Sequence, residues 1–144
     1  MKKTSEELEM LFQALADRTR LRLLNLMHRG EVCVCFFVEA LDEPQPKISR
    51  HLAFLRRAGL VAARRDAKWM HYSITSPRSE AAKEIFEHVL GTLEDDSQMQ
   101  RDRAALTAAC CSPRAPEVLK RAPKPEFRDA PVVTSDRRRS RQHP

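Results

Sequence analysis

The apolar residues of the first sixty positions recur at helical spacing, in short runs that turn chemistry cuts apart. Leu8, Leu11, Phe12 and Leu15 stand at i, i+3, i+4 and i+7, the buried stripe of a first helix. Asp17 supplies an N-cap for a second helix, which carries Leu21, Leu24 and Met27 and ends near Gly30. A third, short helix is expected over roughly Phe36 to Leu41. Asp42-Glu43-Pro44-Gln45-Pro46 then turns into a fourth, where proline is tolerated because the first N–H groups of a helix lack an intrahelical partner. Ile48, Leu52 and Leu55 form that helix's buried stripe, and Gly59 stops it.

After Gly59 the period changes from helix to strand. Leu60-Val61-Ala62-Ala63-Arg64-Arg65 and Lys68-Trp69-Met70-His71-Tyr72-Ser73-Ile74 flank a break at Asp66-Ala67. The second arm sets Trp69, His71 and Ser73 against Met70, Tyr72 and Ile74, the alternation of a half-buried strand. From Pro77 a fifth helix carries Ala82, Ile85, Phe86, Val89, Leu90 and Leu93, a face broad enough for its own core or for a subunit interface. The order α-α-α-α-β-β-α is that of a winged helix-turn-helix, a mainly α (α+β) fold. It is assigned to residues 1–95, with 96–113 as a flexible C-terminal extension bearing Cys110 and Cys111. Residues 114–144 read as a basic, proline-rich, disordered tail, since six of the nine prolines lie beyond residue 112 and apolar periodicity is lost there.

The net charge of +6 is unevenly spread. Residues 45–78 hold eight Lys or Arg against one acidic residue, a surplus of +7, and residues 112–144 hold nine against four, +5. The segments between are net acidic: six basic against eight acidic residues in 1–44, three against seven in 79–111. A basic block inside a slightly acidic domain is the footprint of a phosphate-binding surface. No stretch approaches the roughly 18 uninterrupted apolar residues of a membrane span. The N-terminus turns acidic at once at Glu6-Glu7, so a cytoplasmic protein without a membrane partner is expected. The four cysteines are then expected as free thiols, ion ligands or redox groups rather than structural disulfides. There is no Gly-rich phosphate loop, nucleophile elbow or carboxylate pair with a base, which argues against an enzyme and against a small organic substrate.

Five segments together resemble the ArsR/SmtB family of metalloregulatory repressors. They are Ala14-Leu15-Ala16-Asp17-Arg18-Thr19-Arg20-Leu21-Arg22-Leu23-Leu24, Glu31-Val32-Cys33-Val34-Cys35, Gln45-Pro46-Lys47-Ile48-Ser49-Arg50-His51-Leu52, Gly59-Leu60-Val61, and Lys68-Trp69-Met70-His71-Tyr72. They fall in the family's order between about residues 8 and 93. The resemblance implies a homodimer joined through its first and last helices, which binds double-stranded operator DNA until an inducing ion releases it. A two-fold dimer offers two recognition helices to a pseudo-palindromic site.

With Ile48, Leu52 and Leu55 inward, Gln45, Lys47, Ser49 and Arg50 face solvent near the start of the recognition helix, where base edges are reached. His51 either touches a phosphate or flanks the core. Arg64, Arg65 and Lys68 at the wing tip suit phosphate or minor-groove contacts. Cys33-Val34-Cys35 resembles the arsenic-sensing motif of one family branch, in which a third cysteine follows. Here Phe36-Phe37-Val38 take those places, and Cys110 or Cys111 is expected to complete the site. Soft thiolates favour trivalent arsenic (arsenite) as inducer, with antimonite a second. The alternatives are a zinc- or cadmium-responsive repressor, with Glu84, Glu87 and His88 available on the last helix, and a thiol redox sensor. Residues two apart on a helix point about 200° apart, so Cys33 and Cys35 are expected to converge only if the start of the third helix distorts.

Overall fold

A computed structural model describes residues 4–111 and 115–127. Its elements are α1 (Thr4–Leu15), α2 (Arg18–Met27), β1 (Val32–Cys33), α3 (Val34–Leu41), α4 (Gln45–Arg57), β2 (Val61–Asp66), β3 (Trp69–Ile74), α5 (Glu80–Leu93) and α6 (Ser97–Cys111), followed by a single 3-10 turn, Glu117–Leu119. The architecture is a winged helix-turn-helix. Helix α3 and the recognition helix α4 form the helix-turn-helix, and the β2–β3 hairpin is the wing.

Local chemistry fixes the boundaries. The Asp17 carboxylate accepts from the Arg20 backbone N–H and caps α2. Gly59, at φ 78°, ends α4: its N–H reaches the Arg56 carbonyl while the Leu60 N–H reaches back to Leu55. Ser79 caps α5 through the Ala82 N–H. The wing pairs antiparallel from Val61↔Ile74 to Asp66↔Trp69, and Ala67 turns it at φ 54°. That left-handed conformation replaces the glycine such turns usually carry.

One core serves every element, built around Leu23, Leu24, Phe36, Phe37, Ile48, Leu52, Leu55 and Phe86, all 0–1% exposed. Phe12, expected on the buried stripe of α1, is instead 53% exposed. The stripe of α1 is narrower than its spacing implied, running through Leu11 and Ala14.

Two elements were not anticipated. The strand β1 is only two residues long, but it pairs with β3 as Val32↔Tyr72 and Cys33↔His71, giving a sheet of order β1-β3-β2. And residues 97–111 are not a flexible extension: they form α6, which packs on α2 and α3. Its buried face is Met99, Asp102, Leu106, Ala109 and Cys110. The charged Asp102 in that stripe masks the helical pattern, and it is buried only because Arg22 of α2 donates to it twice, at 2.7 and 2.9 Å. Gln98 adds a third bond at 2.9 Å. Beyond α6 the chain still packs, since Leu119 and Ala122 are buried in the core. The backbone at Glu126 crosses Gly30 so closely that a Cβ there would strike the Glu126 carbonyl oxygen. The expected tail therefore does not begin at residue 114 as a uniformly unpacked segment; the expectation for 128–144 lies outside the described residues.

Breaking a buried ion pair by deleting one partner strands the other charge, at a cost of about 3 kcal/mol or more. Asp102→Ala should lower unfolding stability by that order in urea titrations, and Asp102→Leu with Arg22→Met should recover much of it. A loss below about 0.5 kcal/mol for the single variant would mean that the pair does not anchor α6.

Candidate functional site

The recognition helix presents the expected side chains to solvent. Gln45, Ser49 and Arg50 are exposed, while Lys47 is half-buried and pairs with Glu43 one turn earlier at 3.0 Å. His51 lies differently. It is half-buried at the seam between α2 and α4, with Nδ1 3.3 Å from the Arg20 guanidinium and 3.8 Å from the Asp17 carboxylate. Burial lowers its pKa against the opposing pull of Asp17. Arg20, which the sequence reading passed over, ties three helices together. It donates to the Ala14 and Gln13 carbonyls at the end of α1, each at 2.8 Å, approaches His51, and stacks 4.2 Å over the Phe54 ring of α4.

At the wing, Arg65 and Lys68 are exposed, and the Lys68 ammonium lies 5.0 Å over the Trp69 ring. Arg64 is exposed as well, but it faces back toward β1. Its guanidinium donates to both carboxylate oxygens of Glu31, at 2.6 and 3.1 Å. That fork holds the Glu31 carboxyl below its usual pKa.

The cysteines separate into two pairs. Cys33 and Cys35 have their sulfurs 3.4 Å apart, with the Cys35 thiol donating to Cys33. They converge without any distortion of α3, contrary to the expectation from helical spacing. The reason is that Cys33 is not helical: at φ −73°, ψ 142° it is the extended last residue of β1 and the N-cap of α3. The helical rule of about 100° per residue does not apply across that junction. Cys110 and Cys111, by contrast, are joined to each other by a disulfide at the end of α6, so the expectation of four free thiols holds for Cys33 and Cys35 alone. Among the described residues no three His, Cys, Asp or Glu side chains gather into a group able to hold a metal ion. The structure thus brings Cys33 to Cys35 but does not assemble Cys110 or Cys111 with them, and Glu84, Glu87 and His88 stand exposed on α5 without forming such a group.

The Cys33–Cys35 pair shares a proton unequally. The hydrogen bond from the Cys35 thiol stabilises a thiolate at Cys33, with help from the backbone N–H of Cys35, the His71 ring and the N–H of Val34, and these overcome burial to pull Cys33 down to about 6. The same hydrogen bond, together with burial, holds the proton on Cys35 and pushes its pKa upward. One sulfur is therefore ready as a nucleophile or ligand, and its neighbour yields its proton only to something that binds the pair.

Two residues that the sequence reading did not single out stand beside this pair. His71 is the cross-strand partner of Cys33, is 5% exposed, and has an Nε2 with no hydrogen-bond partner. Glu31 precedes β1, with an oxygen 3.9 Å from His71 Nδ1. A histidine alternating with Trp69 and Ser73 was legible as facing one side of a strand; that the opposite strand would be β1 was not.

Comparison with known proteins agrees with this geometry. The profile described as "Bacterial regulatory protein, arsR family" matches residues 17–63. The chain is 53% identical over 66 residues to an arsenical resistance operon repressor of Escherichia coli, an alignment taking in 45% of this chain and 56% of that one. The chain thus spans little more than half of that relative's length. It is 40% identical over 95 residues to an arsenic resistance transcriptional regulator of Pseudomonas putida, covering 65% of this chain and 80% of the regulator. Among solved structures, HlyU from Vibrio cholerae superposes with a TM-score of 0.55 at 32% identity, over 64% of this chain and 97% of that one.

The proton-sharing pair makes a spectroscopic prediction. One thiolate should appear in ultraviolet titrations with a midpoint near 6. In Cys35→Ala, which lacks the donor, that midpoint should move up to or past the ordinary thiol value of about 8.5. An unchanged midpoint in the variant would remove the hydrogen bond as the cause.

Proposed function

Since the chain belongs to the arsR family of bacterial regulatory proteins, we propose that it is a cytoplasmic transcriptional repressor. On this reading it binds operator DNA as a homodimer and is released when trivalent arsenic is captured by Cys33 and Cys35. The observation that carries the reading is the approach of the two sulfurs to 3.4 Å at the first residue of α3. That helix packs directly on the recognition helix α4. An ion joining the sulfurs acts on the β1–α3 junction, and the junction sets the angle at which α3 supports α4.

Each proposed DNA contact has a distinct task. Arg50 and Gln45 are placed for base edges, with Lys47 and Ser49 for bases or phosphate. Arg65 and Lys68 at the wing, joined by Arg64, are placed for phosphate. His51 supports the helix from behind, through Arg20 and Asp17. The homodimer is supported by Phe12, exposed on α1 where that helix packs on α5. Arsenite needs a third donor besides the two sulfurs, which hydroxide can supply; Cys110 or Cys111 is a candidate once its disulfide is reduced. By linkage, arsenic must bind the DNA-free form more tightly, by the factor through which it weakens DNA binding.

A DNA-binding titration with arsenite, antimonite, zinc, cadmium and peroxide tests the reading. Arg50→Ala with Lys47→Ala should weaken operator binding by roughly a hundredfold, at about 1–3 kcal/mol per base contact. Cys33→Ser should bind the operator as the parent does but stay bound in arsenite, because a serine hydroxyl is a hard, protonated donor. Release by arsenite in a Cys33/Cys35 double variant would overturn the site. Release by zinc alone would overturn arsenic as inducer, and release by peroxide alone would favour thiol oxidation.

A further inference from the structure

We propose that His71 is the third donor of the Cys33–Cys35 site, completing a two-sulfur, one-nitrogen set that holds a soft divalent cation of the cadmium or zinc class. The proposal rests on the preceding assignment of the cysteine pair as an ion site and extends it to a ligand and an ion class of its own.

Placement comes first. The ladder sets Cys33 of β1 opposite His71 of β3, and His71 in turn opposite Arg64 of β2. Residues directly opposed on neighbouring strands share a face, with Cβ atoms about 4.5–5.5 Å apart. Cys33 is 1% and His71 5% exposed, so sulfur and imidazole are enclosed together.

The second observation is the orphaned nitrogen. A buried polar atom without a partner is rare in a folded protein and calls for an explanation such as an absent ion. His71 Nε2 is such an atom. In the neutral ring with its proton on Nδ1, this nitrogen carries the lone pair a metal takes. Nor does a hydrogen bond hold the ring away: Nδ1 lies 3.9 Å from Glu31, beyond hydrogen-bond length. Reorienting the imidazole toward the sulfurs therefore breaks no bond at either nitrogen, which answers the finding that the three donors are not yet gathered.

Glu31 completes the pattern. A metal-bound histidine almost always directs its other N–H at a carboxylate or carbonyl, which fixes the ring and raises its basicity. The nearest carboxylate to Nδ1 is Glu31, itself held by the Arg64 fork.

The dimensions also suit a metal. Two metal–sulfur bonds of about 2.3 Å at a tetrahedral angle span about 3.8 Å. The sulfurs stand 3.4 Å apart, so the pair opens by only a few tenths of an ångström. On binding, the thiol protons leave to solvent as two metal–sulfur bonds form. Two thiolates then neutralise a divalent cation, leaving no net charge in the enclosed site.

The test uses the full reduced chain, labelled with nitrogen-15 in histidine and titrated with cadmium-113 ions alone. Expected are one cadmium per chain, a sulfur-to-cadmium charge-transfer absorption that Cys33→Ser and Cys35→Ser each diminish, and a scalar coupling between cadmium and His71 Nε2. Because this coupling is read on the unaltered protein, it does not depend on a variant that folds. His71→Gln should lose the coupling and weaken cadmium binding at least tenfold, and Glu31→Gln should weaken it about tenfold through loss of ring orientation. Cadmium held by both sulfurs with no coupling to His71 would overturn this inference and leave the arsenic reading standing. Arsenite release that survives loss of both cysteines would overturn the earlier reading, whatever cadmium does.

Discussion

Two backbone residues, Val32 and Cys33, set the geometry of the candidate site. By joining the edge of the wing sheet they hold Cys33 in an extended conformation, and α3 starts at the next residue. Were α3 to begin one turn earlier, Cys33 and Cys35 would diverge around a helix and no sulfur pair would exist. The same ladder places Cys33 across from His71 and brings Glu31 within reach of Arg64. A strand too short to be stable alone is held here because β3 is already paired to β2 and α3 packs beneath it.

Polar anchors supply the rest of the order. Arg20 satisfies the terminal carbonyls of α1, faces His51 of α4, and covers Phe54, so one side chain fixes the angle between three helices. Arg22, two residues on, faces the other way and buries Asp102 of α6. Alternate arginines of α2 thus hold opposite flanks of the fold, one beside the recognition helix and one beside the helix that carries Cys110. The Asp17 cap that starts α2 also lies 3.8 Å from His51, which links the beginning of that helix to the DNA-facing one.

How much of this was legible follows from range. The stripe of Ile48, Leu52 and Leu55, the stop at Gly59 and the alternation through Trp69 to Ile74 are local patterns, and each places its element within a residue or two. Because α4 has one buried face, its exposed face was legible too, and with it Gln45, Ser49 and Arg50. The rest depended on partners far along the chain. β1 is too short to show a period, and α6 hides its stripe behind Asp102, whose partner lies 80 residues away. The closeness of Cys33 and Cys35 was misjudged for the same reason: a helical angle was applied at a position where pairing with β3 had already replaced the helix. Phe12 fits its stripe by spacing but not by burial, since α1 meets the core along only one side.

The arrangement explains why a small local event can act on a distant surface. The junction bearing the sulfurs has two mechanical outlets. One runs through α3, packed between α4 and α6. The other runs across the sheet from Cys33 to His71 to Arg64, and from Glu31 to Arg64 by the bidentate fork. On the proposed reading both end on elements assigned to DNA, the recognition helix and the wing, so a strain introduced between two sulfurs disturbs both together. An allosteric coupling of about 1–3 kcal/mol is what such regulators need. That is no more than one or two misaligned base contacts, so a shift of the junction too small to disturb the core can release the operator.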